Sequence, residues 1–432
     1  MSPTLPSILE ATLILSDQFN STLSTPLTPA EPQPASSTTN SSNPAAPLPL
    51  LSTSAAALKA QTTKLSLLSI NTPFTPSALI TVLSTVNESV LPSLVTAALL
   101  TIPAEYTRAF HAEAKLLVKD ALRELGSLVG VVKVIASGGA GSGDKVVVTE
   151  QQKVEVMACT GRVWKACEQL VSFAEEGVVG FVAAKAKQYL ELVRDGIREL
   201  EEWDPEAEGG DDDDDPFWDD EAGDYGDELI SEKSKETGTA KGKERASYDD
   251  DDDDDDDESN DNKDTTIANL KSEKSHILRL LNPIAQIYPA IISQRLKKKT
   301  GFPPSTSKDQ QPQQHGLSAS QISQLDRLMP HLRELPNLVD EAAGSLYDQD
   351  IDNAVMYTIQ LRQCAFAAAE VARLPLGGNT NANANMPGKE GRGEKGEKNL
   401  SGEGEDKFPK WVDTWMGVVE EIARSKVKGE AP

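Results

Sequence analysis

The chain has 432 residues, of which 38% are hydrophobic and 5% aromatic, and a formal charge of −26. Apolar content that low excludes a chain packed throughout, because long polar stretches cannot offset the entropy of ordering them. The charge is local: residues 201–264 hold 31 acidic and 6 basic residues, against 37 acids and 36 bases elsewhere, so the acidity belongs to one insert and speaks to solvation and partners rather than to fold.

Residues 1–23 carry a short amphipathic pattern and predict an N-terminal helix. Residues 24–53 collapse into Pro, Ser, Thr and Ala with no apolar period, a disordered linker. Apolar residues return at Ser54 and continue to Trp203, an N-terminal helical bundle punctuated by Pro73, Pro76, Pro92 and Pro103. Its clearest helix runs from about Pro103 to Ala136, where Phe110, Ala114, Leu117, Ala121, Leu125 and Leu128 alternate at steps of three and four. A second runs from about Glu176 to Trp203, with Val178, Val182, Ala186, Tyr189, Val193 and Leu200 on one face and Gly196 in the missing step, where glycine allows another helix to come close.

Residues 204–264 form the disordered acidic linker, and residues 265–428 a C-terminal helical bundle. Helices are expected over 266–300 and 318–346, broken at Pro283, Pro289, Pro330 and Pro336, and over Asp350 to Arg373. Residues 376–407, rich in Gly, Asn, Glu and Lys, read as a disordered insert. Beyond it Trp411, Trp415, Val418 and Ile422 lie at i, i+4, i+7 and i+11, an apolar stripe on a helix of about 20 residues, too short to be stable alone, which should dock on the bundle. The fold class is therefore all-α, two helical-bundle lobes separated by a disordered acidic linker.

Few residues point to chemistry. Cys159 and Cys167 lie about 12 Å apart along one helical pattern, so a disulfide between them would require unwinding. With Cys364 they read as small buried thiols of a reducing compartment. His111, His276, His315 and His331 are scattered without ligand neighbours at zinc spacing, and neither a metal nor a cofactor is expected. The run Gly138 to Val146 resembles a phosphate loop only in its glycines: Asp144 stands where the lysine belongs and no hydroxyl follows Lys145, so it reads as an interhelical loop. No Ser occupies a nucleophile elbow, and no catalytic residue is assigned. Residues 1–23 lack the Lys or Arg of a signal-peptide start, and no run reaches about 18 apolar residues, so an intracellular, soluble protein without a membrane partner is expected.

Three features concern partners. The unbroken Asp249 to Asp257 and Asp211 to Asp215 repel themselves into an open segment, read either as a solubilising spacer or as a polyanionic arm for histones and other basic proteins; direct nucleic-acid binding is disfavoured by like charge. Phe217, Trp218 and Tyr225 place aromatics among these acids, to dock either on a partner or on the chain's own bundle. Ser247, ahead of acids, suits an acidophilic kinase. Arg295, Lys297, Lys298 and Lys299 form either a nuclear-import patch or the basic end of a helix.

The ordered pieces resemble a known family. Thr160-Gly161-Arg162-Val163-Trp164-Lys165-Ala166-Cys167-Glu168-Gln169-Leu170, preceded by Thr63-Lys64-Leu65-Ser66-Leu67, is similar to the cyclin-D-binding (GCIP-like) proteins, as are Val339 to Tyr347 and Lys410 to Asp413 in the second half. These are packing-type residues; Trp164 and Cys167, for instance, suit a buried helix face. The resemblance implies an all-α, non-enzymatic protein of two bundles. It also implies action through contacts with a cyclin or other cell-cycle and transcription regulators, in nucleus and cytoplasm, and a place for the Trp411 helix in the second bundle. An acidic chaperone for histones or similar basic proteins is the alternative.

Overall fold

A computed structural model describes residues 4–25, 46–71, 73–138, 148–207, 257–297, 317–376 and 406–429. Phe217, Trp218, Tyr225, Ser247, His315, Lys298, Lys299, the loop from Gly139 to Val147 and most of the acidic segment lie outside the described residues. Among the described residues all regular structure is helical.

The chain runs through α1 (Leu5–Ser24), α2 (Pro47–Ile70), α3 (Pro76–Thr85), a π-helical segment (Val86–Val90), α4 (Leu91–Leu100), α5 (Pro103–Tyr106), α6 (Arg108–Gly138) and α7 (Glu150–Glu202). After the acidic segment come α8 (Asp257–Ala285), α9 (Ile287–Ile291), a second π-helical segment (Ile292–Leu296), α10 (Ala319–Tyr347), α11 (Ile351–Ala372) and α12 (Phe408–Gly429). Helix boundaries depart from the expected ones where side-chain chemistry at a terminus outweighs composition. The stretch read as a linker up to residue 53 already turns helical at Pro47, because proline is accommodated in a first turn, where its missing N–H has no intrahelical partner to lose. Helix α8 starts at Asp257, inside the acidic segment.

The expected helix from Pro103 to Ala136 is two helices. Thr107 has φ 66° and ψ 152°, which a β-branched residue rarely adopts, and its Oγ1 accepts the Phe110 amide to start α6. Pro330 and Pro336, expected to break a helix, instead lie within the single 29-residue α10. Pro336 cannot donate to the Leu332 carbonyl four residues earlier, and the buried Tyr288 hydroxyl does so at 2.7 Å. Pro92 comes two residues after the end of the first π-helical segment, in keeping with a ladder adjusted around a residue that lacks an amide.

Helix α7 organises the fold. A capping box starts it, with Thr149 Oγ1 accepting the Gln152 amide and the Gln152 side chain accepting the Thr149 amide. It bends at Gly177, whose φ of 63° and ψ of −169° belong to a region open essentially to glycine alone. Phe173 and Phe181, four residues either side, both close on Phe110 of α6, at centroid distances of 4.2 and 5.5 Å. Helix α7 packs on α2, α6, α10 and α8, and its contact with α6 continues past the bend through Phe181 and Lys185. The buried side chains of both halves form one continuous apolar core through α7. Gly196 is the close approach between halves: a Cβ placed there would stand 2.9 Å from Val339 Cγ1 of α10.

The run Pro76–Leu100 is long and apolar enough to cross a membrane by length and composition, contrary to the expectation from run length. In this fold it packs on α1, α2 and α6, with Leu79, Leu83, Leu91 and Leu94 fully buried.

Candidate interaction surfaces

The C-terminal aromatic helix packs against α8 and α11. Trp415 is buried; its Nε1 donates 2.7 Å to the Pro283 carbonyl and its ring meets Phe366 edge-on at 5.7 Å. Trp411 is half-buried and stacks between Phe408 and Trp415, and Ile422 is half-buried against the core. Val418 is 45% exposed, and Val419 is fully buried in its place. The contact face runs through Phe408, Val412, Trp415 and Val419, about one residue round from the expected stripe.

Arg295 is not part of an accessible basic patch. Its side chain is 2% exposed, whereas Lys297 is exposed. The guanidinium donates to the carbonyls of Ala372 and Arg373, at 2.6 and 2.8 Å, and to both oxygens of Asp406, at 3.2 and 2.9 Å. The Phe408 ring covers it, with a centroid distance of 4.2 Å. A positive charge thus caps a helix C-terminus, but that of α11 and not its own.

A groove of about 590 Å³ lies along the seam of α6, α7 and α10, with Ala109, Phe181, Tyr189 and Met329 among its lining. Smaller cavities of about 270 and 380 Å³ share Phe181 and Arg108 with it respectively. Several of its polar groups are engaged within the seam. Lys185 stands 3.2 Å from Glu113, Asp326 accepts the Arg108 amide at 2.8 Å, and Asn337 donates to Glu334 at 3.4 Å. This is a polar seam between the two halves, and among the described residues neither His nor Cys lines it.

The cysteines are free, Cys159 and Cys167 buried and Cys364 half-buried. Burial pushes the Cys167 thiol up to about 12 and that of Cys364 up to about 11, so both are protonated and poorly nucleophilic at neutral pH. Among the described residues no group of three or more His, Cys, Asp and Glu side chains is placed to hold a metal ion. His111 is buried, its Nδ1–H donating 2.8 Å to the Thr101 carbonyl while Nε2 has no partner. Burial is the main cause that lowers its pKa.

Two of the motifs that carry the sequence resemblance, Thr63 to Leu67 on α2 and Thr160 to Leu170 on α7, meet where Trp164 reaches Thr63. Cys167 is buried as its apolar neighbours require, but Trp164 is 37% exposed. Its helix face turns past the α2 contact to solvent, and the indole Nε1 donates 3.1 Å to Thr63 Oγ1. Lys59 lies 5.8 Å from the ring centroid and pairs with Glu168 at 2.7 Å. Leu67, Met157 and Val154 nearby are 51%, 54% and 61% exposed. An exposed, partly preorganised apolar face was not legible from the sequence, where a tryptophan in an apolar period reads as core.

A comparison with curated proteins finds no matching relative. Residues 50–206 match the family model described as Grap2 and cyclin-D-interacting, N-terminal, which covers α2 through α7 almost entirely. The match agrees with the resemblance that the Thr63 to Leu67 and Thr160 to Leu170 motifs carry.

Proposed function

We propose that the chain is a non-catalytic adaptor that binds a D-type cyclin, or a related regulator of the cell cycle or of transcription, and acts in nucleus and cytoplasm. The observation that carries this reading is the Trp164 indole, exposed yet held by Thr63, within the segment that matches a cyclin-D-interacting family. A large aromatic fixed in advance costs little ordering on association, and such residues anchor protein interfaces. The family description supports the cyclin as partner, and the all-helical fold supplies surfaces for it. Isothermal titration of the purified full chain with a purified D-type cyclin tests the reading. Saturable binding is expected, and no heat of association at any concentration reached would sink the cyclin assignment.

A further inference from the structure

We infer that the outer face of α2 and α7 receives an acidic amphipathic helix of a partner protein. On α7, Val154, Met157, Gly161 and Trp164 recur at i, i+3, i+7 and i+10 and are all exposed. They form one stripe about 15 Å long, the spacing and length over which helices dock by apolar anchors. The pairs Lys59–Glu168 and Thr63–Trp164 fix α2 antiparallel beside it, which brings the exposed Leu67 alongside the stripe. At its centre a Cβ built on Gly161 meets nothing within 4 Å, so the stripe dips between Met157 and Trp164 and can take an inserted side chain.

Charge selects the occupant. Lys59 is paired with Glu168 and Lys153 with Glu150, so those charges cancel. Lys64 on α2 and Lys165 on α7 are exposed and in no ion pair with a described residue, which leaves a net positive border. Glu155 lies about 100° round the helix from Val154, off the stripe. A helix with acidic edges completes this border, whereas one with basic edges is repelled, and mismatched charges at an interface cost affinity. This deepens the adaptor reading and rests on it, naming the chemistry of the partner segment.

The test uses the full chain and two fluorescein-labelled designed helices, with leucines at i, i+3 and i+7 and either glutamates or lysines along both edges, read by anisotropy. The glutamate helix should bind saturably and about tenfold or more tighter than the lysine helix. A Cβ at position 161 has open space around it, so Gly161→Gln should fill the dip and weaken the glutamate helix by about tenfold or more with no fall in thermal midpoint, and Trp164→Ala should weaken that helix by a similar factor. Equal affinity for both helices, or undiminished binding by the two variants, would overturn the inference. So would a dimer in sedimentation that Trp164→Ala dissociates, because the occupant would then be a second copy. A chain that takes the glutamate helix at this face but ignores a D-type cyclin supports the inference and refutes the cyclin assignment. A chain that binds cyclin but not the glutamate helix overturns the inference alone.

Discussion

The Tyr288 hydroxyl donates 2.7 Å to the carbonyl of Leu332, the carbonyl that Pro336 leaves without an amide partner. Tyr288 is fully buried, and burial raises its pKa, so it stays protonated and able to donate. Tyr288→Phe keeps the ring and removes the donor, and should destabilise the fold by about 1–3 kcal/mol, the cost of a buried polar group left unsatisfied. In a Pro336→Ala background the amide returns to the ladder and the same substitution should cost less, by a coupling of about 0.5 kcal/mol or more in a double-mutant cycle. Urea denaturation of the four proteins measures it. Additive losses would show that the hydroxyl does not stand in for the amide.

The contact between Trp415 and Pro283 makes a parallel case at the end of α8. The Pro283 carbonyl lies at the break before α9 and accepts both the Gln286 amide, at 3.2 Å, and the Trp415 indole. Trp415→Ala should cost about 3–5 kcal/mol. Val418→Ala, at a position turned to solvent, should fall within about 0.5 kcal/mol of the parent. Thermal or chemical melts separate the two, and similar losses at both positions would contradict the observed helix rotation.

Periodicity made the helices legible because it records which face meets a core, and residues at Phe110, Ala114 and Leu125 lie where that rule puts them. It does not record what the far side of a contact supplies. Pro336 read as a breaker since the sequence cannot show Tyr288 arriving from forty-odd residues away to mend the ladder. Arg295 read as one of four surface cations because its acceptors, the end of α11 and Asp406, are distant in the chain. Trp164 read as core for the opposite reason: only the position of α2 decides that its helix face reaches solvent.

Gly196 is where the sequence and the packing agree most closely. Its α-carbon faces Val339, and a methyl group there would stand at 2.9 Å from Cγ1 and 3.5 Å from the Asp340 carboxylate. Gly196→Ala should therefore destabilise by about 1–3 kcal/mol through overpacking, despite a helix propensity that favours alanine by about 1 kcal/mol. Adding Val339→Ala makes room and should recover part of the loss. Gly161→Ala is the control: with open space around its Cβ it should stabilise α7 by about 1 kcal/mol. Equal effects at the two glycines in thermal melts would mean that α7 and α10 do not approach so closely.

His111 gives the fold a pH dependence whose sign follows from its surroundings. Its Nδ1–H is spent on the Thr101 carbonyl, so a second proton must go to Nε2, which is buried without an acceptor. Burial is the main cause of the lowered pKa and Lys115 adds to it, while the hydrogen bond to Thr101 acts against them. In the unfolded chain the imidazole titrates near its ordinary value of about 6.5. Below that value the unfolded state binds more protons than the folded one. The stabilisation from neutral His111 is thus complete above about pH 6.5 and is lost as pH falls from there through the lower folded value. Asp340 works in the opposite direction at more acid pH, because burial, then Glu199 and Glu341, raise its pKa, and protonating it favours the fold. Melts between about pH 7.5 and 5.5 lie above most carboxylate titration and cover the range in which imidazoles titrate, so comparison with a variant singles out His111. His111→Gln, which keeps a donor for Thr101 but cannot titrate, should lose less of its thermal midpoint over that range than the parent. Parallel loss in both proteins would place the pH sensitivity at another group.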